Sequence, residues 1–93
     1  MSEYLYVAVN KSMPGLVKVG RTNRDVRERL QELDGTGVPE PFLAITVLRV
    51  SDSAAAERVA HQALEKFRKS RNREFFEMTP VDAVNAILEA VEN

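Results

Sequence analysis

The chain has 93 residues, no cysteine, a single histidine and a formal net charge of -1. Those counts exclude a disulfide framework, thiolate chemistry and any site that needs two imidazoles from one chain. With 44% hydrophobic and 29% charged residues the composition is that of a folded globular protein, and the length predicts one domain over residues 1–93 with one modest core. No basic leader followed by an apolar stretch opens the sequence and no run reaches membrane-spanning length, so a soluble cytoplasmic protein with no membrane partner is expected.

The near-neutral total hides an uneven distribution. Lys11, Lys18, Arg21, Arg24, Arg27 and Arg29 crowd the first third, and Lys66, Arg68, Lys69, Arg71 and Arg73 form a second cluster. From Glu74 onward there is no lysine or arginine. If the two basic segments converge they make a local phosphate-attracting surface; if they do not, they are solvated helix faces and a polar loop.

In chain order, residues 4–10 and 16–21 read as two strands joined by a turn at Ser12-Met13-Pro14-Gly15. Alternation places Leu5, Val7 and Val9 on one face and Tyr4, Tyr6 and Ala8 on the other, so Tyr6 and Lys18 can share a face of this hairpin. Thr22 to Asp25 has the pattern of a capping box with Thr22 as N-cap, opening a helix over about 23–34. Val26, Leu30 and Leu33 form its apolar stripe, and at about 100° per residue Arg29 lies roughly 60° from the stripe's middle. Arg29 is therefore the arginine expected at a partly buried edge, where a guanidinium needs a partner.

Gly35, Gly37, Pro39 and Pro41 punctuate a loop before residues 42–50, an almost continuous apolar and β-branched run that predicts a strand covered on both faces. Asp52 or Ser53 opens a helix to about Phe67 with Ala56, Val59, Ala60, Ala63, Leu64 and Phe67 inward. Glu57 and His61 stand one turn apart at the edge of that arc. Residues 73–78 are a candidate short strand, with Phe75 and Phe76 in the core. Thr79-Pro80 caps a last helix with Val81, Val84, Ile87, Leu88 and Val91 inward. The order is β-β-α-β-α-(β)-α, an α+β fold with a small, mainly antiparallel sheet flanked by helices.

Residues 4–10 followed closely by 18–22, with Arg29 on the next helix, resemble the GIY-YIG endonuclease superfamily. The two strand motifs correspond to Tyr4-Leu5-Tyr6 and Lys18-Val19-Gly20. Residues 12–22, the loop 36–42, the Glu57/His61 helix and residues 73–76 are similar to its compact single-domain phage and bacterial branch. The resemblance implies a three-stranded antiparallel sheet flanked by helices. It also implies hydrolysis of DNA phosphodiester bonds with one divalent metal, Mg²⁺ or Mn²⁺. On that basis Arg29 neutralises phosphate charge and Glu57 binds the metal. Tyr6 and Lys18 position or activate the nucleophile, and His61 is a general base or a partner of Glu57. Gly20, Arg21, Arg24, Arg71 and Arg73 are the expected DNA-contacting positions.

These residue types suit that chemistry. A single carboxylate can anchor Mg²⁺, which keeps most of its waters and takes phosphate oxygens as ligands. An arginine offers phosphate a planar donor fork. A tyrosine or lysine can activate water if neighbouring cations depress its pKa.

Each assignment has a structural counterpart: Tyr6 as a strand aromatic, Arg29 and Glu57 as an ion pair between helices, Glu74 in a salt bridge. Lys18 departs from the family pattern, since a tyrosine stands there in the second motif. A module that binds nucleic acid without cutting it, or a protein-interaction domain that keeps only the scaffold, are the alternative functions. Monomer and homodimer are both compatible with the sequence.

Overall fold

The structure, a computed structural model, describes residues 2–34, 40–69 and 74–92. Its elements are β1 (Glu3–Asn10), β2 (Leu16–Thr22), α1 (Val26–Asp34), β3 (Phe42–Val50), α2 (Ser53–Ala63), a 3₁₀ turn (Glu65–Phe67), β4 (Phe75–Glu77) and α3 (Pro80–Glu92). The expected α+β architecture is present, with one more strand than the resemblance implies. Residues 75–77 add a fourth strand, giving an antiparallel sheet in the order β3-β1-β2-β4.

The hairpin forms because alternation and turn chemistry agree. The Asn10 carboxamide oxygen accepts from the Ser12 amide (2.9 Å) and hydroxyl (2.6 Å), and Gly15 takes a φ of 82° that a side chain would strain. The register pairs Tyr6 with Gly20 and Ala8 with Lys18. Tyr6 and Lys18 therefore do lie on one face.

Each sheet face carries its own core. Leu5, Val7, Val17, Val19 and Phe76 meet Ala56 and Ala60 of α2, Leu64 just past its end, and Ala83 and Ile87 of α3. On the other face Tyr6, Ala8 and Phe42 meet Leu30 of α1, with Val26, Leu33 and Phe75 packed against them. The sheet is thus sandwiched between α1 and the α2/α3 pair. No helix among the described residues is long and apolar enough to cross a membrane.

Several boundaries differ from the sequence expectation, each for a local reason. Helix α1 begins at Val26, capped by Asp25, whose carboxylate accepts from the amides of Arg27 (2.8 Å) and Glu28 (3.4 Å). Thr22 is still paired with Tyr4 in the hairpin, and its hydroxyl holds the Arg24 amide in the connecting turn (3.0 Å). Helix α2 is capped by Asp52 as expected. It ends at Ala63 and tightens into the 3₁₀ turn; Val59 and Ala63 are exposed, leaving Ala56, Ala60 and Leu64 inward. In α3, Thr79 caps through its hydroxyl to the Asp82 amide (3.2 Å), but Val81 points outward and Ala83 inward.

The largest correction concerns β3. It is an edge strand rather than one covered on both faces, and Leu43, Ile45 and Val47 are exposed. A run of apolar residues reports hydrophobicity, and it does not count how many faces are covered. A register shift opposite Val7 and Ala8 leaves Ile45 as the extra residue of a β-bulge.

One tie joins the start of β1 to the start of α2. The Glu3 carboxylate accepts from the Ser53 amide (2.8 Å) and hydroxyl (2.7 Å), and those two donors hold the Glu3 pKa below the usual carboxylate range. A depressed carboxylate stabilises the fold above its unfolded pKa, and that contribution is lost as pH falls through the folded value. Glu3→Gln is therefore expected to melt lower than the parent near neutrality and to converge with it in acid. Thermal melts from neutral pH down to about pH 3 check this.

Candidate functional site

The site forms where β4 stops short of the end of β2. The β2–β4 ladder ends at Lys18–Phe75. The next residue, Val19, is completed by other groups: its amide donates to the Glu74 carbonyl (2.9 Å) and its carbonyl accepts from His61 Nε2 (2.9 Å). From Gly20 to Thr22 the outer edge of β2 has no strand beside it among the described residues. The gap is a polar cleft of about 520 Å³ lined by Arg21, Thr22, Asn23, Arg24, Arg29, Glu57, His61 and Glu74. A second recess of about 730 Å³ lies over α2 and shares Arg21, Glu57 and His61 with it, adding Arg58 and Arg68. Glu57 and His61 therefore stand at the centre of one groove with arginines on both sides.

Helix α2 presents this pair because Ala56 and Ala60 are small enough to bring its axis close to the sheet, which swings the neighbouring Glu57 and His61 over β2. His61 is additionally held by the Phe76 ring, 5.3 Å between centroids. A carbonyl oxygen only accepts, so His61 Nε2 carries the proton and Nδ1 is the acceptor of the neutral ring. Glu57 is 24% exposed and 3.9 Å from Arg21 Nε. It has no ion pair with Arg29 among the described residues, so the expectation of a structural Arg29–Glu57 bridge does not hold.

Arg29 sits at the partly buried edge that helical phase predicts. Glu32, three residues on, takes it at 3.3 Å and also takes Arg24 at 2.7 Å. The two guanidiniums are thereby fixed side by side on the rim, and Arg24 first and Arg29 second hold the Glu32 carboxyl below the usual range. Sequence spacing could have shown the Arg29–Glu32 contact, but nothing in it signals the Arg24–Glu32 contact.

Beneath the rim the geometry differs from the expectation for Tyr6 and Lys18. Lys18 is buried and does not line the cleft: its Nζ is 3.0 Å from Glu74 and 5.5 Å from the centre of the Phe75 ring. Its place is under Glu74, which it holds at the cleft wall. Tyr6 lies across Gly20. A Cβ on that glycine would come within 2.5 Å of the phenol oxygen and 2.7 Å of Cζ, so only glycine leaves the ring its space.

The Tyr6 hydroxyl is buried without a hydrogen-bond partner among the described residues. Burial pushes the phenol up from 10.0 to about 12, the Glu74 charge adding to the shift and Arg29 opposing it. A phenolate base at neutral pH is therefore not what this environment favours; the neutral hydroxyl is an unspent donor.

This makes a direct prediction. Tyr6→Phe removes an unsatisfied buried hydroxyl and is expected to raise stability by about 1 kcal/mol in denaturant titrations at neutral pH. Because the folded phenol titrates above its ordinary value, the parent loses stability as pH rises from 10.0 toward about 12. The variant lacks that alkaline loss.

Of the positions expected to meet substrate, Arg21, Arg24, Arg29, Glu57 and His61 line the cleft, and Gly20 and Tyr6 lie under it. Arg71, Arg73 and the loop at 35–39 fall outside the described residues. The model of the T5orf172 domain matches residues 3–92, nearly the whole chain. The chain belongs to the T5orf172 family. T5orf172 is a nuclease-like phage domain related to GIY-YIG, in keeping with the motif order on β1 and β2. No curated protein and no solved structure matches the chain significantly. In this T5orf172 chain the tyrosine and glycine of the two strand motifs are a packed pair, Tyr6 over Gly20.

Proposed function

We propose that this T5orf172 domain is a metal-dependent endonuclease that hydrolyses DNA phosphodiester bonds in the cleft beside β2. The observation that carries the reading is the placement of Glu57 and His61 at the centre of a polar groove whose rims carry Arg21, Arg24, Arg29, Arg58 and Arg68. A phosphate backbone laid along the groove meets guanidiniums on either side of one carboxylate and one imidazole acceptor.

The partly exposed Glu57 carboxylate is the one group in the cleft proposed to hold a hydrated divalent ion. Among the described residues no three acidic or imidazole groups stand together, so Mg²⁺ or Mn²⁺ would rest on Glu57 alone, with water and phosphate oxygens completing the shell. When bound there, such an ion supplies Lewis-acid stabilisation of charge on the phosphoryl oxygens.

The chain's own residues do the rest. Arg29, steadied by Glu32, donates to a non-bridging oxygen as the pentacovalent charge develops. His61 Nδ1 accepts the proton of the attacking water while the new P–O bond forms and the bridging bond to the leaving oxygen breaks. The His61 Nε2 bond to the Val19 carbonyl fixes the tautomer that leaves Nδ1 as the acceptor. Tyr6 keeps its proton and supports the cleft from beneath, packed against Gly20. Lys18 acts indirectly, by holding Glu74.

Supercoiled plasmid incubated with the pure protein tests the proposal. Nicking that requires Mg²⁺ or Mn²⁺ and stops with chelator is the expected result. Strongly salt-dependent DNA binding with no nicking under any divalent ion overturns it in favour of a non-catalytic nucleic-acid-binding module.

A further inference from the structure

The exposed edge of β3 is the feature the cleft does not use. From Phe42 to Leu48 the strand carries no charge, no lysine and no proline, three of the devices that keep a free edge from pairing; the bulge at Ile45 is the one it has. Its apolar side chains stand in water: Leu43 is 54% exposed, Ile45 47% and Val47 45%. The bulge at Ile45 twists the strand without covering them.

The ends of this edge are oppositely charged. Glu40 precedes the strand and Arg49 nearly closes it; both are exposed, and neither has an ion-pair partner among the described residues. That pattern is self-complementary in one orientation only. When two copies of the strand run antiparallel with Glu40 of each opposite Arg49 of the other, Phe42 faces Val47, Leu43 faces Thr46 and Ala44 faces Ile45. Parallel pairing in register would set like charges against each other.

We infer that β3 is a homodimer interface, pairing antiparallel with β3 of a second copy to give an eight-stranded sheet with a Glu40–Arg49 contact at each end. The backbone groups along the edge supply the ladder, the apolar side chains supply buried area, and the end charges set partner and register. The groove is left open, because β2 is separated from β3 by β1. Each copy then contributes one groove, related by the dyad.

Sedimentation velocity on the full chain, from about 1 µM to about 1 mM, tests this. The expected result is a reversible dimer that Leu43→Lys disrupts and that Arg49→Glu weakens by roughly tenfold or more. Glu40→Arg combined with Arg49→Glu in one chain restores it. Mixing the two single variants yields a heterodimer tighter than either homodimer, since each contact again joins opposite charges. A parent that stays monomeric over the whole range overturns the inference. So does a dimer indifferent to all of these substitutions, which would pair through another surface. None of the substituted residues lines the groove, so these outcomes are independent of DNA cleavage.

Discussion

Glu57→Gln is expected to lower the rate of DNA cleavage by roughly 10²–10³-fold or more, the scale seen when a principal electrostatic group is taken from a reacting centre. The substitution keeps the shape of the side chain and removes the charge that would hold the divalent ion. Glu57 is partly exposed and only loosely paired with Arg21 at 3.9 Å, so the fold should tolerate the change with little shift in melting temperature. DNA affinity measured with chelator present should be unchanged or slightly tighter, because a negative group leaves a groove that receives phosphate. Cleavage and affinity thus move apart. A residue that merely stabilised α2 would move melting temperature and affinity together.

The second large effect is on stability. Gly20→Ala is expected to cost about 2–3 kcal/mol, since its Cβ would lie 2.5 Å from the Tyr6 oxygen and 2.7 Å from Cζ, inside a fully packed core. For a chain of this length that is a drop of about 10 °C or more in melting temperature. The cause is space, so removing the ring should remove the penalty. In a Tyr6→Ala background, itself destabilised by the cavity it leaves, Gly20→Ala should be close to neutral. The double-mutant cycle should return a coupling of about 2–3 kcal/mol. If the two changes simply add, the Tyr6–Gly20 packing is not what requires glycine at this position.

Much of this arrangement was legible in the sequence where a single periodicity decides the outcome. Two-residue alternation allowed Tyr6 and Lys18 to share a face, and the register that pairs Tyr6 with Gly20 and Ala8 with Lys18 puts them there. Helical phase separated Arg29 from Arg27, whereas Arg24 precedes α1 and comes back beside Arg29 through Glu32; the caps at Asp52 and Thr79 stand where short polar side chains precede apolar runs.

What escaped depends on contacts between residues far apart in the chain. The burial of Lys18 needs Glu74 and Phe75, which β4 brings alongside β2; a lysine read alone is assigned to water. The raised Tyr6 pKa is a property of an enclosed hydroxyl, whereas the neighbouring arginines had suggested the opposite sign. Thr22 and Asp25 are both good capping residues, and only the length of the β1–β2 ladder decides between them. His61 was visible as the neighbour of Glu57 one turn away, but its bond to the Val19 carbonyl, which fixes the tautomer, is purely tertiary.

The activity proposed for the groove around Glu57 and Arg29 is DNA cleavage. Its most direct test is single-turnover cleavage of supercoiled plasmid in Mg²⁺ by the parent protein, Glu57→Gln and Arg29→Ala, purified in parallel and each normalised to its bound fraction. Nicking by the parent is expected, with a loss of roughly 10²-fold or more in both variants while they remain folded and bind DNA. Cleavage that persists unchanged in both variants would contradict it.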